Sequence, residues 1–242
     1  MSDDEALGLT DIFPTVVELE KYKYNFYDNV VIEIKGQELQ NVNVQPSTGL
    51  LPWPASTILS QYISKFNDNF KDKNIVELGS GVGICGLVAS KYASYTVFTD
   101  GDPQSNKLLF DNIKDNNHLY KNNSNYSNQQ PPIELLSWGK TSSLEDFKEK
   151  YNDLQFQVVI GSDLVYVDEN IDPLFYTVDK ILSTSSTPSP AFYLSFLDRK
   201  NHLPTLQSVS EKYNFTMETI DLDTFLDYKP STMSRMFVFK RK

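Results

Sequence analysis

The stretch Glu77-Leu78-Gly79-Ser80-Gly81-Val82-Gly83 constrains this chain more than any other, because of what flanks it. Before it, Asn74-Ile75-Val76-Glu77-Leu78 is a short β-branched apolar run that reads as a buried parallel strand. After it, Ile84-Cys85-Gly86-Leu87-Val88-Ala89-Ser90-Lys91 has helical spacing. Strand, glycine-rich turn and helix, in that order, is the setting in which glycines mark a nucleotide-type ligand. They turn tightly and let the backbone approach where a Cβ would clash.

Gly79, Gly81 and Gly83 alternate as E-x-G-x-G-x-G. Gly81, Gly83 and Gly86 also satisfy G-x-G-x-x-G, the dinucleotide pattern that cradles a pyrophosphate at a helix N-terminus. Asp100 closes the apolar run Tyr95-Thr96-Val97-Phe98-Thr99, about 20 residues past the glycines, where a ribose-binding carboxylate would stand. That position serves NAD and S-adenosylmethionine equally, so either pattern implies an adenosine-type ligand.

The rest of the chain separates the two. Helical spacing recurs over 57–66, 104–116, 143–151, 171–182 and 202–213, and apolar runs over 134–138, 157–162, 191–197, 215–222 and 236–240. A Ser/Thr/Pro turn fills 183–190. Residues 22–44 alternate and predict a β-hairpin, with Gly36 as its turn and Leu39, Val42 and Val44 on its second arm. Residues 1–21 are expected to be a flexible N-terminal segment. Residues 117–132, asparagine-rich with isolated apolar residues, are expected to be a flexible polar insertion. The expected fold is α/β: a doubly wound, mostly parallel, seven-stranded Rossmann-like sheet ending in an antiparallel hairpin, within one domain over 22–242. A dinucleotide dehydrogenase would continue into a substrate domain, for which there is no room. The two-strand tail favours the class I methyltransferase fold.

Composition bounds the partners. Forty per cent hydrophobic and 13% aromatic content is ample for a core. Cys85 is the only cysteine, which points to a reducing compartment, cytoplasmic with the nucleus as the alternative. Met1-Ser2-Asp3-Asp4-Glu5 lacks the order of a signal peptide, and no apolar run approaches the roughly 18 residues of a membrane span. A net charge of −10 disfavours a nucleic-acid substrate, and Lys240-Arg241-Lys242 reads as a solvated tail. His118 and His202 lack metal-ligand spacing, so no metal is expected. No G-x-S-x-G elbow occurs, which disfavours a serine hydrolase.

Five elements then fall in order: Gly49-Leu50-Leu51-Pro52-Trp53-Pro54-Ala55, Glu77 through Gly83, Thr99-Asp100, Leu136-Ser137-Trp138-Gly139 and Ser162-Asp163-Leu164-Val165-Tyr166. Over roughly residues 25 to 240 the chain resembles the seven-β-strand, S-adenosylmethionine-dependent methyltransferases of the lysine-methyltransferase group, methyltransferase family 16. The resemblance implies S-adenosylmethionine as cofactor and an intracellular protein as substrate, with a monomeric enzyme. It places Gly79, Gly81 and Gly83 under the cofactor's amino-acid part and ribose, with Glu77 supporting that loop. It places Asp100 on the ribose hydroxyls, Trp138 on the adenine and Trp53 at the methionine end. Gly161 stands where many members have alanine before Ser-Asp, and it is counted with the cofactor residues. Asp163 and Tyr166 are assigned to the point where methyl group and acceptor meet. On that assignment Asp163→Ala folds and binds cofactor but loses most activity.

Plainer readings stand beside these. Trp138 and Trp53 could be packing residues, and Asp163 the N-cap of the following helix. Tyr166 is one of 14 tyrosines, most of which must be structural. Asp102 and Asp168 read as turn or helix-start carboxylates. Arg199 opens at the ligand edge, as a site residue or a solvated loop charge. An arginine, histidine or small-amine acceptor, or a non-catalytic binding subunit, remains the alternative function.

Overall fold

Apolar strand runs that alternate with amphipathic helices need a sheet covered on both faces. The computed structural model describes residues 18–38, 48–126, 129–183 and 189–242. A pair of strands, β1 (Glu20–Phe26) and β2 (Val30–Gly36), precedes α1 (Ala55–Lys65). Then follow β3 (Asn74–Leu78), α2 (Ile84–Ser90), β4 (Tyr95–Asp100), α3 (Pro103–Asp115), β5 (Ile133–Leu135) and α4 (Thr141–Lys150). The chain continues through β6 (Val158–Ser162), α5 (Ile171–Leu182), β7 (Ala191–Leu197), α6 (Leu203–Lys212), β8 (Phe215–Thr219) and β9 (Ser234–Arg241).

Strands β3 to β9 form one seven-stranded sheet in the order β5-β4-β3-β6-β7-β9-β8. Pairs from β5 to β7 are parallel, while β9 runs antiparallel to both β7 and β8. The doubly wound sheet with an antiparallel end is therefore the architecture observed. Successive strand residues face opposite ways and feed two cores. Ile75 and Ile160 join Leu59, Leu87 and Leu109 on the face covered by α1, α2 and α3. Val76, Leu78 and Val159 join Leu144, Phe175 and Leu206 under α4, α5 and α6. Each such buried side chain contributes about 1.5–3 kcal/mol, so the strand ends that carry the site are rigidly held.

The hairpin forms, but its turn is not at Gly36. It lies at Tyr27-Asp28-Asn29, where Asp28 and Asn29 have φ of 56° and 53° and Val30 N–H donates to Tyr27 C=O. Two successive left-handed residues suit the right-handed twist of the strands, and Asp and Asn tolerate that region. Gly36 ends β2 opposite Glu20, and Leu39, Val42 and Val44 lie outside the described residues. Asn112 on α3 and Asn116, the residue that caps its C-terminus one turn later, complete the free edge of β2. Their Oδ1 atoms accept from Lys35 and Glu33 N–H, and their Nδ2 atoms donate to the same residues' carbonyls.

The stretch expected to be a polar insertion also carries core residues. Tyr120 and Tyr126 are buried, and the Tyr126 hydroxyl accepts from Thr96 N–H at 2.8 Å. Short 3₁₀ turns run over Asn117–Leu119 and Ser124–Tyr126. Asn123 forms a local turn by accepting from Asn125 N–H at Oδ1, and it ties the stretch to the segment just after α2 by donating to the Ala93 and Ser94 carbonyls.

Candidate functional site

The carboxyl ends of β3, β4, β5 and β6 open on one side of the sheet, where doubly wound folds bind ligands. A cavity of about 410 Å³ lies there, lined among others by Gly79, Asp100, Trp138, Asp163, Trp53 and Tyr166. A second, of about 120 Å³, is lined by Thr48, Trp53, Asp163, Tyr166 and Arg199. The two share Thr48, Trp53, Asp163 and Tyr166, so a larger chamber and a smaller one meet at these four residues.

Of the three loop glycines, only Gly79 borders the larger cavity. Its φ is +58°, and a Cβ there would fall 2.6 Å from Leu164 and 3.1 Å from the Trp138 ring. The Trp138 edge is thus seated against bare backbone, with the rest of the ring free to form a wall. Gly81 instead holds the loop's shape. Its N–H donates to Asp100 Oδ2 at 2.9 Å, and a Cβ would press on the Gly49 carbonyl at 3.0 Å. Gly83 faces Leu109 and Gly161 faces Leu164, each with a Cβ position 2.5 Å from that side chain. Neither lines the cavity.

Glu77 also lies away from the cavity. The alternation of β3 turns it to the face under α2, where it is 2% exposed and Oε2 finds no partner. Burial, with Asp100's charge adding to it, pushes its carboxyl from 4.5 up to about 8, against hydrogen bonds from Ser80 and Gly86. A raised carboxyl value means that the folded chain holds a proton the unfolded chain releases. The stabilising contribution is then complete below 4.5 and is lost as pH rises to about 8. Glu77→Gln should flatten that part of the dependence, and its melting temperature should overtake the wild type's above pH 8. Melting curves from pH 5 to 9 check this, and parallel curves would refute it.

Asp100 sits at the end of β4 and lines the cavity, nearly buried. Its two oxygens accept from Gly81 and Asp102 N–H, each at 2.9 Å. Each carboxylate oxygen can accept more than one bond, so capacity remains toward the cavity. Burial holds the carboxyl above its ordinary value, opposed by those two amides.

Asp163 has different geometry from the one its motif suggests. It is in the left-handed region (φ 53°), and both oxygens are engaged by backbone. Oδ2 accepts from Ala55 N–H at 2.8 Å, 108 residues away, and Oδ1 from Leu197 N–H at 3.1 Å. Asp163 therefore caps α1, which follows the tryptophan-proline motif, and not the next helix. Ser195 Oγ donates to the Ala55 carbonyl at 2.8 Å, so the first residue of α1 is held on both its polar groups. Burial raises the Asp163 carboxyl, while the two amides and the Arg199 charge lower it.

Tyr166 is half exposed, at 50%, on the wall shared by the two cavities. Trp53 donates from Nε1 to Thr48 C=O at 2.9 Å, and the Arg199 guanidinium lies 5.7 Å from its ring centroid. His202 Nδ1 meets Asp168 Oδ1 at 2.7 Å, tying the loop after β6 to the loop after β7. Thr48 and Asn170 line the larger cavity without having been singled out in the sequence, and Asp102, read there as a turn or helix-start carboxylate, lines it too. For Thr48 a signal existed, since it directly precedes the Gly49 motif. Asp102 accepts from Gln104 N–H and caps α3. Among the described residues no cluster of His, Cys, Asp or Glu is placed to hold a metal ion. Among them, too, no helix is long and apolar enough to cross a membrane.

Such a sheet, with a glycine turn and a carboxylate at adjacent strand ends, is the class I methyltransferase architecture. A solved magnesium protoporphyrin IX methyltransferase from Synechocystis superposes with a TM-score of 0.53 at 12% identity, covering 77% of this chain and 79% of that one. A sequence profile described as lysine methyltransferase matches residues 33–211, and the chain belongs to that family. Among its curated relatives is a protein-lysine N-methyltransferase, EFM3, of Chaetomium thermophilum, 30% identical over 144 residues, 58% of this chain and 40% of that one. Another is a protein N-lysine methyltransferase, METTL21A, of Xenopus tropicalis, 28% identical over 134 residues, 55% of each chain. The chain spans about half the length of these relatives.

Proposed function

We propose that this chain transfers a methyl group from S-adenosylmethionine to a lysine side chain of an intracellular protein. The observation that carries the proposal is the pair of joined cavities. The larger offers a bare-backbone glycine, a carboxylate and a flat aromatic wall, and the smaller is a narrow aromatic slot. The residues fit the cofactor. Asp100 keeps acceptor capacity for ribose hydroxyls, Trp138 can lie along an adenine, and Gly79 leaves room for a close approach.

When bound, S-adenosylmethionine supplies a methyl group on a positively charged sulfur. In-line displacement then asks the protein chiefly for alignment. Trp53 and Tyr166 stand at the junction of the chambers and would flank the acceptor nitrogen. Asp163 contributes by fixing α1, and with it Trp53 and the Leu197 end of β7, because it accepts from the Ala55 and Leu197 N–H groups. In this reading it is a positioning residue. The net charge of −10 disfavours a polyanionic acceptor and suits a basic protein segment. A monomer in the cytoplasm is the working form of this reading.

Calorimetry tests the cofactor. S-adenosylhomocysteine should bind and NAD should not, and NAD binding alone would reject the assignment. Labelled S-adenosylmethionine, added with the protein to an extract lacking it, tests the acceptor. Label on lysine of a protein supports the proposal, whereas label on arginine, histidine or a small amine replaces it. Binding without any labelling would favour the non-catalytic reading.

A further inference from the structure

The smaller cavity raises a chemical problem that its own walls answer. A lysine enters from water as an ammonium, with an ordinary pKa of about 10.4, and an ammonium has no lone pair to attack with. Aromatic walls on one side favour a cation, which would hold the acceptor in its unreactive form. Among the described residues the slot contains two fixed charges, Asp163 and Arg199. The carboxylate is held in place by two backbone amides and opposes the guanidinium, whose charge acts on it, so the effect of Arg199 is read as a difference on its removal. The guanidinium is 5.7 Å from the Trp53 centroid, and it carries no carboxylate partner among the described ion pairs.

Resting on the lysine reading above, we propose that Arg199 acts on the acceptor by charge, keeping the incoming lysine in its neutral, nucleophilic form. A neighbouring cation is a known way of making an amine nucleophilic near neutral pH. The groups facing the slot are Asp163 from the end of β6, Tyr166 from the loop after it, and Trp53 and Thr48 from the segment before α1. Asp198 and Lys200 flank Arg199 on its own loop. The balance is simple. The ammonium gives its proton to water. The nitrogen lone pair then forms the N–C bond to the methyl carbon while the S–C bond breaks, its electron pair staying on sulfur. Positive charge returns to nitrogen, where repulsion from Arg199 favours release of the methylated side chain. Arg199 also occupies one face of Trp53, so the same ring face cannot serve as an ammonium cage.

Arg199 is exposed, so its effect is screened. The expected size is about one pH unit, or about tenfold in the neutral fraction. The experiment uses the full chain and the protein labelled in the extract, and compares wild type, Arg199→Gln and Arg199→Lys. The acidic limb of the kcat–pH profile, which reports groups in the enzyme–substrate complex, should move up by about one unit in Arg199→Gln and stay near its wild-type position in Arg199→Lys. Added salt should narrow the wild-type difference. A binding readout runs alongside, with S-adenosylhomocysteine present. The acceptor peptide, made with either lysine or norleucine at the target, is titrated at pH 7. The wild type should favour norleucine over lysine more strongly than Arg199→Gln does. Coincident profiles and equal preferences would overturn the role of Arg199 while leaving lysine methylation intact. A wild type that labels no lysine overturns both.

Discussion

Asp163→Ala is expected to unfold at a markedly lower temperature than the wild-type chain. The substitution strands two backbone N–H groups, those of Ala55 and Leu197, which the carboxylate holds at 2.8 and 3.1 Å. Each unpaired donor in a half-buried position costs about 1–3 kcal/mol, so the sum is about 2–6 kcal/mol. For a chain of this size that corresponds to a drop in melting temperature of roughly 5–20 °C. The backbone adds to the cost. Asp163 has φ 53°, a region that aspartate and asparagine tolerate and alanine does not. Two further variants separate the causes. Asp163→Gly relieves the backbone but still strands both amides. Asp163→Asn keeps the backbone preference and one accepting oxygen, so it should be the mildest of the three. Thermal melts rank them, and activity is compared at a temperature where all are folded. An alanine variant that melts like wild type yet is inactive would return Asp163 to the chemistry itself.

The second large effect is on the cofactor. Asp100→Ala should weaken binding of S-adenosylhomocysteine by about 1–3 kcal/mol, or about 5- to 150-fold, if ribose hydroxyls lose their acceptor. Part of the loss comes from the glycine turn, because Gly81 N–H depends on Asp100 Oδ2. Asp100→Asn keeps one acceptor and should fall between. Acidification gives an independent check. The Asp100 carboxyl lies above its ordinary value, so binding should begin to fail at a higher pH than an ordinary aspartate would dictate. An unchanged dissociation constant in a folded Asp100→Ala protein removes Asp100 from the site.

Much of the architecture was legible from local chemistry. The glycine turn sits between a β-branched run and a helix, and helical and strand periodicities alternate to the end of β7. These signals depend on neighbours within a few residues, so they survive without tertiary information. The limits of α5 and β7 agree with their periodic runs residue for residue. The hairpin turn was misplaced because Gly36 looked like the natural breaker. The Asp28-Asn29 pair, two residue types that tolerate the left-handed region, was the competing signal in the sequence. The asparagine-rich stretch looked uniformly polar, yet Tyr120 and Tyr126 bury their rings under β4, and isolated apolar residues carry no period by which to recognise that.

By itself, then, the sequence determined the order of elements, the parallel sheet with its reversed end, and which strand ends would carry a glycine, an aspartate or an aromatic. Which polar atoms those residues present to the cavity was decided only by the tertiary structure. A carboxylate is directed by whatever donors come within about 3 Å, and these can arrive from anywhere in the chain. Asp163 met Ala55 from 108 residues away and became a clamp. Glu77, one residue out of phase with Leu78 on β3, turned under α2 and keeps its proton. Asp100, in hydrogen-bonding reach of the glycine turn, stayed at the cavity. Three acidic residues at or near neighbouring strand ends acquired three different environments because folding brought different donors to each.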